Sequence, residues 1–330
     1  MTPVLIVVVN YRTPVLAMQC LESLEAEVRA NPGARVTVVD NASADGSAEL
    51  IPQSIASRGW SDWARFIASP VNGGFAAGNN LAIRAALEAG EPLERVWLVN
   101  PDARVRPGAL STLLAFMEAH PWAGIAGGGL DDADGKPWPY AFRFPSVWSE
   151  FDSGLGLGVV SRLLSSHTVA RRMGQEPERV DWISGANFMV RREVIERVGL
   201  MDAGYFLYYE ETDYCLQARR AGWECWYVPG ARVLHLAGQS TGIRTGDPSR
   251  ARRPSYWFRS RTRYFIRSHG KAYTAATDLL WILGFVIWRM RRIVQRKPKA
   301  HPAHFLRDFV QHSVLVSPLA PCPGDHRRTS

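Results

Sequence analysis

Three carboxylates and one imidazole stand out because each ends or interrupts an apolar stretch. Asp40 follows Val38-Val39, Asp102 follows Val99-Asn100-Pro101, Glu211 comes shortly after Tyr205-Phe206-Leu207-Tyr208-Tyr209, and His235 follows Val233-Leu234. Such a set suits transfer of a group away from a diphosphate. That chemistry needs a divalent cation, a nucleoside pocket and a carboxylate that takes the proton of an attacking hydroxyl. Asp102 could hold Mg²⁺ or Mn²⁺ through oxygen, and His235 could complete the site, since imidazole is acceptable to Mn²⁺. A lone histidine in an apolar stretch is more often a packed core residue. Asp40 offers acceptor-only oxygens to a ribose hydroxyl or a base N–H, or it could cap the next helix, for which Ser43 and Asp45 are also suited. Glu210, Glu211 and Asp213 open a helix, where acids complement the dipole. The aromatics before them form an apolar wall that can raise a carboxyl pKa toward that of a useful base. The segment Asn72-Gly73-Gly74-Phe75-Ala76-Ala77-Gly78-Asn79-Asn80 enters a helix with three glycines, so backbone N–H groups can approach a diphosphate closely. It lacks the spacing of a dinucleotide fingerprint.

These residues need elements to position them. Residues 4–9 form a continuous apolar, β-branched run, the pattern of a strand covered on both faces. Helical spacing follows over residues 14–29, then a strand over 35–39, a helix over 48–58, a strand over 64–68, a helix over 79–89 and a strand over 96–99. The alternation predicts an α/β fold with a mainly parallel central sheet flanked by helices. In such sheets ligands bind beyond the carboxyl ends of the strands, where Asn10, Asp40 and Asn100-Pro101-Asp102 fall. Residues 131–177, rich in Gly, Pro and Ser with interleaved aromatics, read as loops over the acceptor side. A strand-like run over 182–190 and helices over 192–198 and 211–221 follow, the last closed by Gly222.

Composition narrows the function classes. The 330 residues are 46% apolar with 12 Trp, enough for a large core and against disorder. The net charge of +8 is concentrated after Arg244. There the run 279–288 is apolar and Arg289, Arg291 and Arg292 follow at once. Ten residues fall short of the roughly 20 that span a bilayer. An apolar body with a basic flank predicts a helix lying on an anionic membrane surface, or one packed on the core with a solvated basic face. The basic residues flank an apolar helix instead of lining a groove with stacking aromatics, which argues against nucleic acid. Cys20, Cys215, Cys225 and Cys322 show no paired spacing and suggest neither a zinc site nor a disulfide framework. The N-terminus lacks a basic n-region, so the expected location is cytoplasmic, peripheral to the inner face of the cell membrane.

The order of these segments adds a resemblance. Val9-Asn10-Tyr11-Arg12, Val39-Asp40-Asn41-Ala42-Ser43, Asn72-Gly73-Gly74-Phe75 and Leu98-Val99-Asn100-Pro101-Asp102, then Gly185-Ala186-Asn187-Phe188-Met189-Val190-Arg191, Glu210-Glu211-Thr212-Asp213 and Val228-Pro229 through His235, closely resemble the family 2 glycosyltransferases over roughly residues 3–241. The resemblance implies a GT-A fold, a nucleotide-sugar donor and inversion by single displacement. Asn10, Tyr11, Asp40, Asn72, Gly73, Gly74, Gly78, Asn79, Asn100 and Asp102 would then bind the nucleotide sugar, with Asp102 and His235 on the metal. Glu211 would be the base, with Asp213 or Glu210 as alternatives, and Trp182, Gly185, Ala186 and Arg191 would face the acceptor. Two departures matter: the family commonly has Asp where Glu211 stands, and Asn100 replaces the first Asp of its D-x-D element. The motif set is similar to that of rhamnosyltransferases, implying dTDP-rhamnose as donor and a lipid-linked or cell-surface glycan precursor as acceptor. Donors carrying a UDP-hexose, UDP-N-acetylhexosamine or UDP-galactofuranose are the alternatives, and an inactive membrane-attached scaffold is the competing class. The expected organisation is a catalytic domain over 1–241, with nucleotide-sugar half 1–130 and acceptor half 131–241, followed by a basic helical region over 242–330.

Overall fold

The computed structural model describes residues 2–236, 252–296 and 301–316. The expected boundary at 241/242, the basic residues Arg244, Arg250, Lys297 and Lys299, and Cys322 lie outside the described residues. The chain divides into two compact units. Unit 1 holds Met1–Phe144, Ala170–Ala203 and Glu210–Arg244, and unit 2 holds Pro145–Val169, Gly204–Tyr209 and Thr245–Ser330.

Unit 1 is built on one mixed sheet. In chain order its elements are β1 (Val4–Asn10), α1 (Pro14–Ala30), β2 (Ala34–Asp40), α2 (Ser47–Ser57), β3 (Ala64–Ala68), α3 (Gly74–Glu88), β4 (Arg95–Val99), β5 (Ala103–Val105), α4 (Ala109–Ala119), β6 (Ala123–Asp131), β7 (Pro137–Trp138) and β8 (Tyr140–Phe142). The chain passes through α5 (Val147–Leu155) and α6 (Gly158–Leu163) of unit 2. It returns for β9 (Ala170–Arg172), β10 (Glu178–Val180), β11 (Asn187–Arg191), α7 (Arg192–Val198), α8 (Glu210–Arg220) and β12 (Glu224–His235). The strand order is β10-β12-β6-β11-β4-β1-β2-β3, with β5 on β12 and β7 on β6. β4, β1, β2 and β3 are mutually parallel, and β11 enters antiparallel between β4 and β6.

The uninterrupted apolar run of β1 has a direct cause. Val4, Ile6 and Val8 pack into one core with α1 and α4, while Leu5, Val7 and Val9 pack into a second core with α3. A strand covered on both faces has no solvent side to make polar. α3 begins at Gly74, five residues earlier than its periodicity predicts, so Gly74 to Gly78 form its first turns instead of a loop before it. Gly74 has φ +84°, which only glycine adopts without strain, and a Cβ on Gly78 would lie 2.7 Å from a methyl of Val9. The second glycine therefore lets the helix approach β1 closely. Residues 131–177, read from sequence as loops, contain β7, β8, α5, α6 and β9. Segments this short carry too few turns for periodicity to register. A capping box between Ser146 and Ser149 starts α5.

Unit 2 is helical, with α5, α6, α9 (Ser255–Val294) and α10 (Phe305–His312). α9 is interrupted at Gly270, where φ is +84°. Phe258, Trp281, Phe285 and Phe309 form its core. A charged group is buried among them: Arg261, 2% exposed, donates to Glu150 at 2.7 Å and to Asp278 at 2.6 Å, and Asp278 also accepts the Val314 N–H at 3.0 Å. Removing one partner of such a group leaves a charge without water or full compensation. Asp278→Ala is therefore expected to destabilise the protein by about 3 kcal/mol, read from urea unfolding followed by circular dichroism. An unchanged midpoint would mean that water already reaches the pair.

Candidate active site

The site is assembled at one edge of the unit 1 sheet. Asn10 pairs with Asp40 at the ends of β1 and β2, and Val8 pairs with Val99 at the end of β4, so Asn10, Asp40 and Asn100 leave the sheet on the same side. β11 starts with Asn187 opposite Val99 and runs the other way, which brings Gly185 and Ala186, just before it, to that edge too.

At β1 and β2, Asp40 is 3% exposed. Its Oδ1 accepts from Asn10 Nδ2 at 2.8 Å and from the Ser43 hydroxyl at 2.5 Å, and its Oδ2 accepts the Ser43 N–H at 3.1 Å. Asp40 does not cap α2, whose first turn is served by Asp45 through Ser47. It instead holds a tight loop in which Ala42 and Ala44 adopt left-handed backbone, at φ 55° and 52°. Strain of this kind persists only where surrounding bonds over-determine it. Arg12 closes the loop from the other side, its N–H on the Ser43 hydroxyl at 2.9 Å, and its guanidinium lies over the ring of Tyr11. Ser43, suited by type to a helix cap, thus serves Asp40 instead, and Arg12 is a structural member of the loop that its residue type alone did not single out.

The glycine-rich segment adjoins this loop. Asn41 donates to Asn72 Oδ1 at 2.9 Å and to the Gly74 carbonyl at 3.0 Å, and Asn72 Oδ1 also accepts the Gly74 N–H. Asn79 turns back to the Phe75 carbonyl at 2.9 Å. The side-chain oxygens of Asn41 and Asn79 are buried with no hydrogen-bond partner. Gly73 precedes α3, and the bond from Asn41 to the Gly74 carbonyl sets the helix N-terminus beside the Asp40 loop.

Asp102 and His235 meet, although they are far apart in sequence. Pro101 sits in a turn closed by the Ala103 N–H on the Asn100 carbonyl at 3.1 Å, and β5 then pairs with β12 so that Ala103 faces His235. Asp102 Oδ1 lies 3.2 Å and Asn100 Nδ2 3.1 Å from His235 Nε2. Burial, and after it the Asp102 charge, push up the Cys20 thiol of α1. Carboxylate oxygen and imidazole nitrogen form a donor set that Mn²⁺ accepts. Among the described residues no group of three or more His, Cys, Asp and Glu comes together. Asp102 and His235 are the two side chains that the fold brings together here as potential cation donors.

Glu211 is half-buried as a residue, but its Oε2 is fully enclosed and has no hydrogen-bond partner. A Cβ added to Gly185 would lie 3.0 Å from the Phe75 ring and 3.8 Å from Glu211 Oε1, so these three residues are neighbours. Burial raises the Glu211 pKa, against the lowering effect of hydrogen bonds from its own N–H and that of Gly185. Asp213 is buried within the helix and accepts from Gln217 at 3.0 Å, and Glu210 is buried at the first position of α8. Phe75, from the first turn of α3, is the neighbour that residue type alone did not reveal.

The acceptor-side expectations divide. Trp182 stacks on Phe142 at 4.1 Å and donates to the Arg143 carbonyl, and Gly185 and Ala186 lie at the site edge. Arg191 does not: it pairs with Arg95 at the opposite end of β4 and donates to the carbonyls of Met117, His120 and Ala123. A full strand length separates it from Asn100, so adjacency in the motif did not mean adjacency to the ligand. Arg191 ties β11 to the segment between α4 and β6, and burial lowers its pKa.

Comparison with known proteins gives a consistent picture. A family model described as "Glycosyltransferase like family 2" matches residues 2–263. The chain is 32% identical over 255 residues to the N-acetylglucosaminyl-diphospho-decaprenol L-rhamnosyltransferase of Mycobacterium tuberculosis, covering 70% of this chain and 79% of that one. It is 28% identical over 166 residues to the rhamnosyltransferase WbbL of Escherichia coli K12, covering 50% and 61%. The mannosyltransferase PcManGT of Pyrobaculum calidifontis, solved with GDP-Man and Mn²⁺, shares the fold with TM-score 0.56 at 15% identity, over 90% of this chain and 76% of that one.

The enclosure of Glu211 has a measurable sign. A carboxyl whose folded pKa is raised loses stability as pH climbs through that pKa and costs nothing below its unfolded value. Glu211→Gln is therefore expected to melt higher than the parent at pH 7, with the gap closing as the pH is lowered toward the ordinary carboxyl range. Equal melting at every pH would place the carboxylate in water.

Proposed function

This chain belongs to the family 2 glycosyltransferases, and we propose that it moves L-rhamnose from dTDP-rhamnose to a hydroxyl of a lipid-linked or cell-surface glycan precursor. The observation that carries the chemistry is the enclosed Glu211 carboxyl beside Gly185 and Phe75, in the same unit as the Asp102–His235 pair. Likeness to rhamnosyltransferases of two organisms supports the sugar, and the decaprenyl-linked substrate named for one of them supports a lipid-linked acceptor. Such an acceptor sits at a membrane, which favours peripheral attachment on the inner face.

In this reading the Asp40 loop and Tyr11 receive the nucleoside, and the N–H groups at the start of α3 face the diphosphate. Asp102 and His235 hold the cation, Mg²⁺ or Mn²⁺, a reading favoured by the Mn²⁺ bound in the Pyrobaculum neighbour. Such an ion, when bound, neutralises charge developing on the departing nucleoside diphosphate. Glu211 accepts the acceptor's hydroxyl proton as that oxygen bonds to the anomeric carbon, and the bond from that carbon to the phosphate oxygen breaks on the opposite face. One displacement inverts the centre and needs no covalent enzyme intermediate. The raised pKa makes Glu211 a stronger base than an exposed glutamate.

A donor panel of dTDP-rhamnose, UDP-glucose, UDP-N-acetylglucosamine and UDP-galactofuranose, scored by nucleotide released with a lipid-linked acceptor, tests the sugar. Preference for a UDP donor would overturn rhamnose and leave the chemistry standing. Glu211→Gln and Asp102→Ala are each expected to lower kcat by about a hundredfold or more. Near-parental transfer by Glu211→Gln would move the base to Asp213 or Glu210. His235→Ala is expected to raise the Mn²⁺ concentration needed for half-maximal activity, with little change in KM for the acceptor.

A further inference from the structure

Most of the exposed large apolar side chains among the described residues belong to unit 2, and several share one helix. On α9, Leu279, Leu283, Ile287, Met290 and Val294 are between 36% and 82% exposed. Their spacing of four, four, three and four places them in one longitudinal stripe, widened by Ile293. The stripe runs about 22 Å along the helix at 1.5 Å per residue. The opposite face is buried: Thr277, Asp278, Trp281, Gly284 and Phe285 point into the core of unit 2, where Trp281 stacks on Phe309 at 3.8 Å. The alternatives left open by the sequence are thus not exclusive, since one side of this helix serves the core and the other serves nothing within its unit.

Charge identifies what covers the free side. Arg289 flanks the stripe and is exposed, as is Arg296 just past the helix; Arg291, on the other flank, is half-exposed and donates to the Leu155 and Gly156 carbonyls, and Arg292 lies over the Trp288 ring. From residue 271 to 296 the helix carries a single acid, Asp278, which is 0% exposed and committed to Arg261 and the Val314 N–H. A second copy laid on this stripe, in either direction, brings no exposed carboxylate from the same helix to meet the arginines. Anionic lipid headgroups neutralise them, while the acyl boundary takes up the leucine, isoleucine and methionine side chains. No helix among the described residues is long and apolar enough to cross a membrane. We propose that this stripe of α9 is a monotopic docking face, lying flat in the headgroup region of a bilayer that contains anionic lipid. The face uses none of the residues assigned to sugar transfer, so it stands or falls separately from that chemistry.

Flotation of the full chain with vesicles tests it. The parent is expected to float with phosphatidylcholine vesicles containing phosphatidylglycerol, to be released by added salt, and to bind phosphatidylcholine alone about tenfold or more weakly. The double variant Leu283→Glu, Met290→Glu is expected to lose about tenfold or more in affinity for the mixed vesicles. Both positions are exposed, so its thermal melt and its release of nucleotide from a sugar donor in solution should match the parent. Trp122→Glu, which removes an exposed apolar side chain of unit 1, should leave flotation unchanged. Parental flotation by the double variant would overturn the proposal. So would a parent that sediments as a dimer, with a monomeric double variant that still floats, since the stripe would then be covered by a second copy. Loss of flotation in Trp122→Glu as well would assign binding to general surface hydrophobicity and likewise overturn it.

Discussion

In a parallel sheet the last residues of neighbouring strands emerge on one side, and hydrogen-bond register decides which residues those are. Here Asn10 pairs with Asp40 and Val8 with Val99, so polar residues that end three separate apolar runs are delivered together. The remaining contributions depend on this edge. β11, running the other way from Asn187, brings Gly185 to it, and β12, held to β5 through Ala103 and His235, brings the imidazole to Asp102. A one-residue slip between β1 and β2 would turn Asp40 into the opposite core, so burial of both sheet faces protects the geometry of the site.

The site is costly in ways that packing alone would not choose. Asp40 holds a loop with two alanines in left-handed backbone, and Glu211 keeps an enclosed oxygen with no hydrogen-bond partner. Buried acceptors without donors are rare in folded proteins and cost on the order of 1–3 kcal/mol each. Asn41 and Asn79 add two more beside the first turn of α3.

Unit 2 handles charge differently. Arg261 is enclosed with Glu150 and Asp278; burial alone would lower its pKa, but the two carboxylates outweigh that and raise it. This group consumes the only acid in the second half of α9, so no carboxylate of that stretch pairs the arginines beyond it, of which Arg289 is exposed. A helix that would otherwise be a mixed-charge surface element becomes apolar along one stripe and cationic at its flanks.

Much of the architecture was legible in the residues because periodicity and strand-end polarity are local. The unbroken run of β1, the Asn-Pro-Asp turn and the ordered motifs identify an α/β glycosyltransferase before any contact is known. Local pattern failed where its range was too short or too long. α5 and α6 are too brief for a period to show, and Gly74 to Gly78 look like a loop although they are helix. Arg191 shares a motif with Gly185 yet sits at the other end of the sheet, because an extended strand carries neighbours in sequence far apart in space. Only the tertiary structure could set His235 against Asn100 across 135 residues, enclose Glu211 behind Phe75, and divide α9 into a buried and an exposed face. Each of these is a property of what packs against a side chain, and packing partners are chosen by the whole sheet and its covering helices, not by the residues beside them in the chain.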